Sequence, residues 1–143
     1  MLMKSSFSTN VNSNAVNIWL LLSRVVIGAI MLTHGLPKLT KLLAGNVEFS
    51  DPFGIGPGAS LALAVFAEVG CSILLILGLA TRFATIPLIT TMLVAIFYAH
   101  ASTPFSKREL PLMFLIFFTG FLILGAGKYS FDHLIAGKRR SRY

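Results

Sequence analysis

The chain has 143 residues, of which 55% are hydrophobic and only 12% are charged. Soluble domains carry about 25% charged residues, and a single soluble domain of this length could not bury so much apolar surface, so the composition indicates an integral membrane protein. It excludes disordered, collagen-like and disulfide-rich classes. The 12 Lys and Arg against 5 Asp and Glu, a net charge of +7, are interpreted as charges at membrane surfaces, not as a nucleic-acid site.

Four apolar stretches are long enough to cross a hydrocarbon core of ~30 Å, which takes roughly 20 helical residues. They are predicted as spans at residues 16–36, 59–80, 83–101 and 110–127. Backbone polar groups in lipid must be paired within the segment, so each span is expected to be helical. The sequence therefore predicts an all-α transmembrane four-helix bundle over residues 16–137. A flexible polar N-terminus at residues 1–15 precedes it, and a basic tail at residues 138–143 follows it.

The distribution of cations predicts the orientation of the bundle. With the N-terminus in the cytoplasm, the inner side carries seven cations: Lys4, Arg82, Lys128, Lys138, Arg139, Arg140 and Arg142. The outer side then carries four: Lys38, Lys41, Lys107 and Arg108. Because cytoplasmic loops are enriched in Lys and Arg, both termini are predicted to be cytoplasmic. The basic tail is expected to contact anionic lipid, with docking of a partner protein as the alternative.

Two charges interrupt the apolar spans, where ionisable groups are costly and need a reason. Arg24 lies in the first span and Glu68 in the second, at depths judged to be within an arginine's reach. We expect them to form an intramembrane ion pair. This pair would act as a latch that fixes the helices against each other; alternatively, Glu68 handles protons or binds a substrate.

A second polar group gathers at the predicted outer end: His34, Lys38, Tyr98, His100 and Glu109. A quinone has two carbonyls that accept hydrogen bonds within an apolar slot, so these residues are a candidate quinone or ligand pocket. The same side chains would equally suit anchoring of helix ends at lipid headgroups. Haem held by His34 and His100 is disfavoured, because both rings would have to aim at one axis, and no metal site is predicted.

Four segments together resemble the DoxX family: SRVVIGAIMLTHGLPKL at 23–39, the loop DPFGIGP at 51–57, FAEVGCSILLILGLATR at 66–82 and GAGKYSFD at 125–132. The family's pattern positions fall here on Arg24, His34, Gly35, Lys38, Glu68, Arg82, Gly125, Gly127 and Asp132. Four of these, Arg82, Gly125, Gly127 and Asp132, would form a motif at the cytoplasmic end. The resemblance implies a four-helix protein of the bacterial cytoplasmic (inner) membrane.

The DoxX family takes its name from a subunit of a thiosulfate:quinone oxidoreductase. The resemblance thus implies a membrane subunit of a quinone-linked redox complex, with a soluble or membrane redox partner, since the chain carries no catalytic signature of its own. A non-enzymatic scaffold that recruits soluble redox or stress proteins is the alternative, and a small-solute or proton carrier is a third. The sequence leaves open whether the chain forms a homo-oligomer.

Overall fold

The computed structural model describes residues 10–140, except for the side chains of Arg139 and Arg140. Five helices occupy this range: α1 (Ser13–Leu43), α2 (Pro57–Leu77), α3 (Thr81–Ala99), α4 (Glu109–Leu124) and α5 (Phe131–Arg140). No strand occurs among these residues, which confirms the all-helical prediction. Most of the predicted N-terminal segment and residues 141–143 of the predicted tail lie outside the described residues.

Three helices, α1 to α3, are long and apolar enough to cross a membrane. The fourth predicted span is shorter than expected, because α4 has 16 residues and ends where Gly125 adopts a φ of 78°. A full crossing takes roughly 20 residues, so the predicted fourth crossing, and with it the four-span bundle and its orientation, stays a prediction.

Helix α1 is longer than the first predicted span and includes residues that were assigned to the outer surface. It begins after Asn12, whose side chain accepts hydrogen bonds from the backbone N–H groups of Asn14 and Ala15. It then continues through Pro37 to Leu43. A proline costs a helix one hydrogen bond but need not end it where neighbouring helices support the turn. Lys38 consequently belongs to the helix.

Helices α2 and α3 each contain a turn of π-helix, at Phe66–Cys71 in α2 and at Ala95–Ala99 in α3. Such wider turns are frequent at functional sites. The helices are joined by a tight turn in which Gly78 and Ala80 both have positive φ, 67° and 49°. The turn reverses the chain, so the π-helical turn of α3 lies at the far end of the helix pair, while that of α2 lies near the middle of its helix.

The apolar core takes residues from α1, α2, α3 and α4, and its most extensive helix pair is α3 packed on α4. Phe114, Phe118 and Phe121 project from one face of α4 and are almost completely buried. On the other side, α1 packs along α2 through two glycines, Gly28 and Gly35. Small residues let membrane helices approach closely, and this approach brings the polar residues of α1 and α2 together.

Replacing Gly35 by alanine is expected to destabilise the α1–α2 contact by about 1–3 kcal/mol, the usual cost of overpacking a well-packed core. A Cβ at this position would lie 2.8 Å from Val69 Cγ2 and 2.9 Å from the Cβ and carbonyl carbon of Glu68. Thermal unfolding in detergent measures the loss. Gly120→Ala is the matched control, because nothing lies within 4 Å of a Cβ there; equal stability of both variants would contradict the packing argument.

Candidate ligand-binding site

A buried ion pair between α1 and α2 forms the centre of the candidate site. Lys38 Nζ lies 2.5 and 2.6 Å from the two carboxylate oxygens of Glu68. The Glu68 side chain is 3% exposed and that of Lys38 31% exposed, so the acid is enclosed while the ammonium keeps partial access to its surroundings. Glu68 lies in the π-helical turn of α2, directly opposite Gly35. The Lys38 ammonium also lies 6.0 Å from the centroid of the Phe49 ring.

The predicted Arg24–Glu68 ion pair is wrong. Glu68 pairs with Lys38, and Arg24 instead donates from Nη2 to the backbone oxygen of Tyr129 at 2.7 Å. The predicted position of Arg24 along α2 was incorrect. Arg24 lies beside Gly78, just beyond the last residue of α2. Ten residues separate Gly78 from Glu68, about 15 Å at ~1.5 Å per residue, which is beyond an arginine's reach.

Arg24 belongs to a second polar cluster, the inner clasp, which consists of Arg24, Gly78, Tyr129 and Asp132. The Asp132 carboxylate accepts hydrogen bonds from the backbone N–H groups of Ala80 and Thr81 at 2.7 and 2.9 Å. The carboxylate thereby caps the start of α3, and its negative charge interacts with the buried guanidinium of Arg24. The Asp132 N–H in turn donates to the Gly78 oxygen at 2.8 Å. These contacts tie the start of α5 to the α2–α3 turn.

The predicted cytoplasmic-end motif comes together at this same end of the bundle. Arg82 donates to the Ile123 oxygen at 3.2 Å and lies beside Gly125. Gly127 lies against Asn17 of α1, whose side-chain oxygen accepts from the Lys128 N–H at 2.8 Å. The four predicted residues therefore hold backbone turns in place. None of them lines either of the two cavities beside the Lys38–Glu68 ion pair.

Two cavities meet at the Lys38–Glu68 ion pair. The smaller one, about 190 Å³, lies between α1, α3 and α4, and among the residues lining it are His34, His100 and Lys107. The larger one, about 480 Å³, lies between α2 and α3 beneath the loop that joins α1 to α2. Ligand pockets typically measure about 300–1,000 Å³, so the larger cavity has the size of a ligand site and the smaller does not.

The larger cavity is an apolar cleft with a polar end. Its walls include Leu63 and Ala64 of α2 and Ile86, Pro87 and Val94 of α3, and its polar end is formed by Lys38, Glu68 and His100. A mostly apolar cavity with a few converging polar groups is the usual form of a small-molecule site. We refer to it below as the α2–α3 cleft.

Three of the five predicted pocket residues, His34, Lys38 and His100, line a cavity. The other two do not: Tyr98 is exposed, as is Glu109 in the first turn of α4, and neither lines the smaller cavity or the α2–α3 cleft. His34 packs edge-on against the Phe114 ring. The smaller cavity includes residues at the entrance to α4, such as Leu110 and Pro111, whereas no α4 residue lines the α2–α3 cleft.

A braced loop forms the roof of the α2–α3 cleft. The Asp51 carboxylate accepts hydrogen bonds from the N–H groups of Ile55 and Gly56 and from the Ser60 hydroxyl, at 3.0, 2.8 and 2.8 Å. The N–H of Gly56, followed by the Ser60 hydroxyl, lowers the pKa of Asp51 below its ordinary value. The carboxylate is therefore ionised at neutral pH and holds the loop against the start of α2.

Sequence reasoning missed both the partner of Glu68 and the role of Asp51. A helical repeat on α1 points to the face concerned, since Arg24, Gly28, Met31, Gly35 and Lys38 follow one another at intervals of three or four residues, the spacing of one helix face. The repeat places both Arg24 and Lys38 on this face, so it does not choose between them as the partner of Glu68. The brace at Asp51 has two signals, the turn composition of its loop and its place in the DPFGIGP segment that resembles the DoxX family, and neither predicts the groups from which the carboxylate accepts hydrogen bonds.

The architecture defines a helical membrane protein with an ion pair at the polar end of an apolar cleft. The DoxX family profile matches residues 19–101, more than half of the chain and a range that contains Lys38, Glu68 and His100. An uncharacterized protein of Haemophilus influenzae is 31% identical over 121 residues, which cover 77% of this chain and 85% of that protein. No solved structure matches the chain. The chain belongs to the DoxX family.

Proposed function

We propose that this DoxX family protein is the quinone-binding membrane subunit of a redox complex in the bacterial cytoplasmic membrane. The observation that carries the proposal is the Lys38–Glu68 ion pair at the polar end of the apolar α2–α3 cleft. A quinone requires this combination, because its ring and tail are apolar while its two carbonyls accept hydrogen bonds.

The polar end of the cleft offers suitable donors. The Lys38 ammonium is a charged donor, and hydrogen bonds from charged donors are about twice as strong as neutral ones. The His100 imidazole is a second donor on the opposite wall. Glu68 accepts from Lys38 and so orients the ammonium while it balances the charge. In this proposal, Lys38 and His100 hold the quinone carbonyls.

Electrons for reduction of the quinone would come from a partner protein. The chain has one cysteine, Cys71, which is buried and free, so an intramolecular dithiol is excluded. Among residues 10–140, no group of three or more His, Cys, Asp or Glu side chains is arranged to hold a metal ion. We therefore propose that this subunit supplies the quinone site and that a separate protein supplies the electron donor.

Binding of decylubiquinone to the purified protein in nanodiscs tests the proposal. We expect Lys38→Gln to weaken binding tenfold or more, since a hydrogen bond involving a charged group contributes about 1.5–3 kcal/mol, and His100→Gln to weaken it about two- to tenfold, since a hydrogen bond between neutral groups contributes about 0.5–1.5 kcal/mol. Glu109→Gln is the control, because Glu109 is exposed and lines neither cavity. Isothermal titration calorimetry measures the affinity, and circular dichroism checks that each variant is folded.

Binding of decylubiquinone to the wild-type protein is measured before the variants are compared. If decylubiquinone neither binds nor raises the unfolding temperature of the wild-type protein, the quinone proposal is wrong, and a scaffold that recruits a soluble protein becomes the better explanation. If the three variants bind equally well, a quinone binds elsewhere than at Lys38 and His100.

A further inference from the structure

We infer that the ligand of the α2–α3 cleft reaches it sideways from the bilayer, with its tail lying along α3 and Leu63 and Ile86 framing the opening. This inference rests on the proposed function for the chemistry of the ligand, but the route itself is argued from the shape of the cleft, the exposure of its edges and the closure of its roof.

The cleft exists because α2 and α3 diverge. Helix α2 packs on α3 through its π-helical turn and its last turns, whereas its first residues, Pro57–Val65, pack on α1. The two helices therefore leave a wedge-shaped space between them, and Glu68 is among the residues that line it. Along α3 the lining runs from Ile86 to His100, fourteen residues or about 21 Å at ~1.5 Å per residue. This length reaches well into a hydrocarbon core of ~30 Å.

The side of the wedge is open. Leu63 on α2 and Ile86 on α3 both line the cleft, and they are 53% and 52% exposed. Both lie in helices that are apolar and long enough to span a membrane, so their exposed faces meet lipid. An opening that is bordered by large apolar side chains and faces lipid admits an acyl or isoprenoid chain and disfavours a hydrated solute.

The wall between these edges presents little hydrogen-bonding capacity to a ligand. The hydroxyls of Thr90 and Thr91, which both line the cleft, donate to the backbone oxygens of Ile86 and Pro87 at 3.0 and 2.9 Å. Because these donors are engaged within α3, the wall behaves as an apolar surface along its length. Two donors placed to meet a ligand, Lys38 and His100, line the polar end of the cleft.

The roof closes the cleft toward water. Three hydrogen bonds to Asp51 hold the loop onto the start of α2, and Lys41 at the end of α1 donates to the Glu48 oxygen. Phe49, Pro52 and Phe53 of this loop cover the cleft from above. A fixed roof and an open side leave the bilayer as the route by which a ligand arrives.

The first experiment compares decylubiquinone with the same dimethoxy-methyl-benzoquinone ring lacking a tail. In the wild-type protein we expect the tailed compound to bind at least tenfold more tightly. Ile86→Trp and Leu63→Trp are expected to narrow the opening and to weaken binding of the tailed compound tenfold or more, with a clearly smaller effect on the tailless ring. Ile116→Trp on α4 is the control, because Ile116 is 64% exposed and lines neither cavity.

The outcomes separate the route from the proposed function. If both compounds bind the wild type and the tryptophans at positions 63 and 86 affect neither or weaken both equally, the lateral route is overturned while quinone binding stands. Failure of both compounds to bind the wild-type protein overturns the quinone proposal instead.

A second measurement tests the opening without any quinone. In a Trp19→Phe background, which removes the one native tryptophan, Ile86→Trp fluorescence is recorded in bilayers of phospholipids with brominated acyl chains. We expect strong quenching, equal to that of Val26→Trp on the exposed face of α1, since Val26 is 52% exposed in a helix long and apolar enough to span a membrane. A tryptophan at position 86 that is not quenched would show that this edge does not face lipid and would overturn the inference.

Discussion

Replacing Glu68 by leucine is expected to lower the free energy of unfolding by about 3 kcal/mol, since breaking a buried ion pair by removing one partner typically costs about 3–5 kcal/mol. The low end applies because the Lys38 side chain is 31% exposed and can find other partners. Unfolding of the detergent-solubilised protein by a denaturing detergent, followed by circular dichroism, measures the change.

The double variant Lys38→Met with Glu68→Leu is expected to recover most of that loss, because an apolar pair of similar volume needs no compensating charge. Lys107→Met is the control, since Lys107 lines the same smaller cavity but is exposed. If Glu68→Leu is as stable as the wild type, the ion pair does not contribute to the fold. A double variant less stable than either single variant would mean that the residues act independently.

Replacing Asp132 by alanine is expected to destabilise the protein by about 2–3 kcal/mol. Loss of a helix N-cap costs about 0.5–2 kcal/mol, here the cap on α3 formed at Ala80 and Thr81. The variant also removes the carboxylate that faces the fully buried Arg24 guanidinium. The same unfolding experiment measures this loss, and hydrogen exchange at the start of α3 is expected to accelerate.

Asp132→Asn serves as the graded comparison, because an asparagine oxygen still accepts one of the two backbone hydrogen bonds but carries no charge. We expect it to lie between alanine and the wild type. Once folded, both variants should bind decylubiquinone normally, since no residue of the inner clasp lines either cavity. Binding that falls in proportion to the loss of the cap would contradict a purely structural role for the clasp.

The helices were predictable because their signals are local. An apolar run of about 20 residues has to be helical in lipid, and the three long helices of the structure fall on the first three predicted stretches. The ends of these helices were less predictable. Pro37 suggests an end that the structure does not make, and Gly125 ends α4 before the predicted span is complete.

The candidate site was predictable in part. His34, Lys38 and His100 were selected because polar residues at the ends of apolar spans share one surface, and they do line the cavities. The partner of Glu68 was predicted incorrectly, because the choice between Arg24 and Lys38 depends on how far α2 is shifted along α1. Nothing in the residue pattern fixes that shift to within one helical turn.

The amino-acid sequence by itself determined that this is a helical membrane protein of the DoxX family with ionisable groups inside its apolar segments. The membrane class, the family and the ionisable groups within the apolar segments all follow from the order and type of residues along the chain. Only the tertiary structure decided that Glu68 pairs with Lys38, that Arg24 belongs to the inner clasp and that an apolar cleft opens between α2 and α3. These features depend on the close approach at Gly35 and on the divergence of two helices, which are properties of packing between segments distant in the chain.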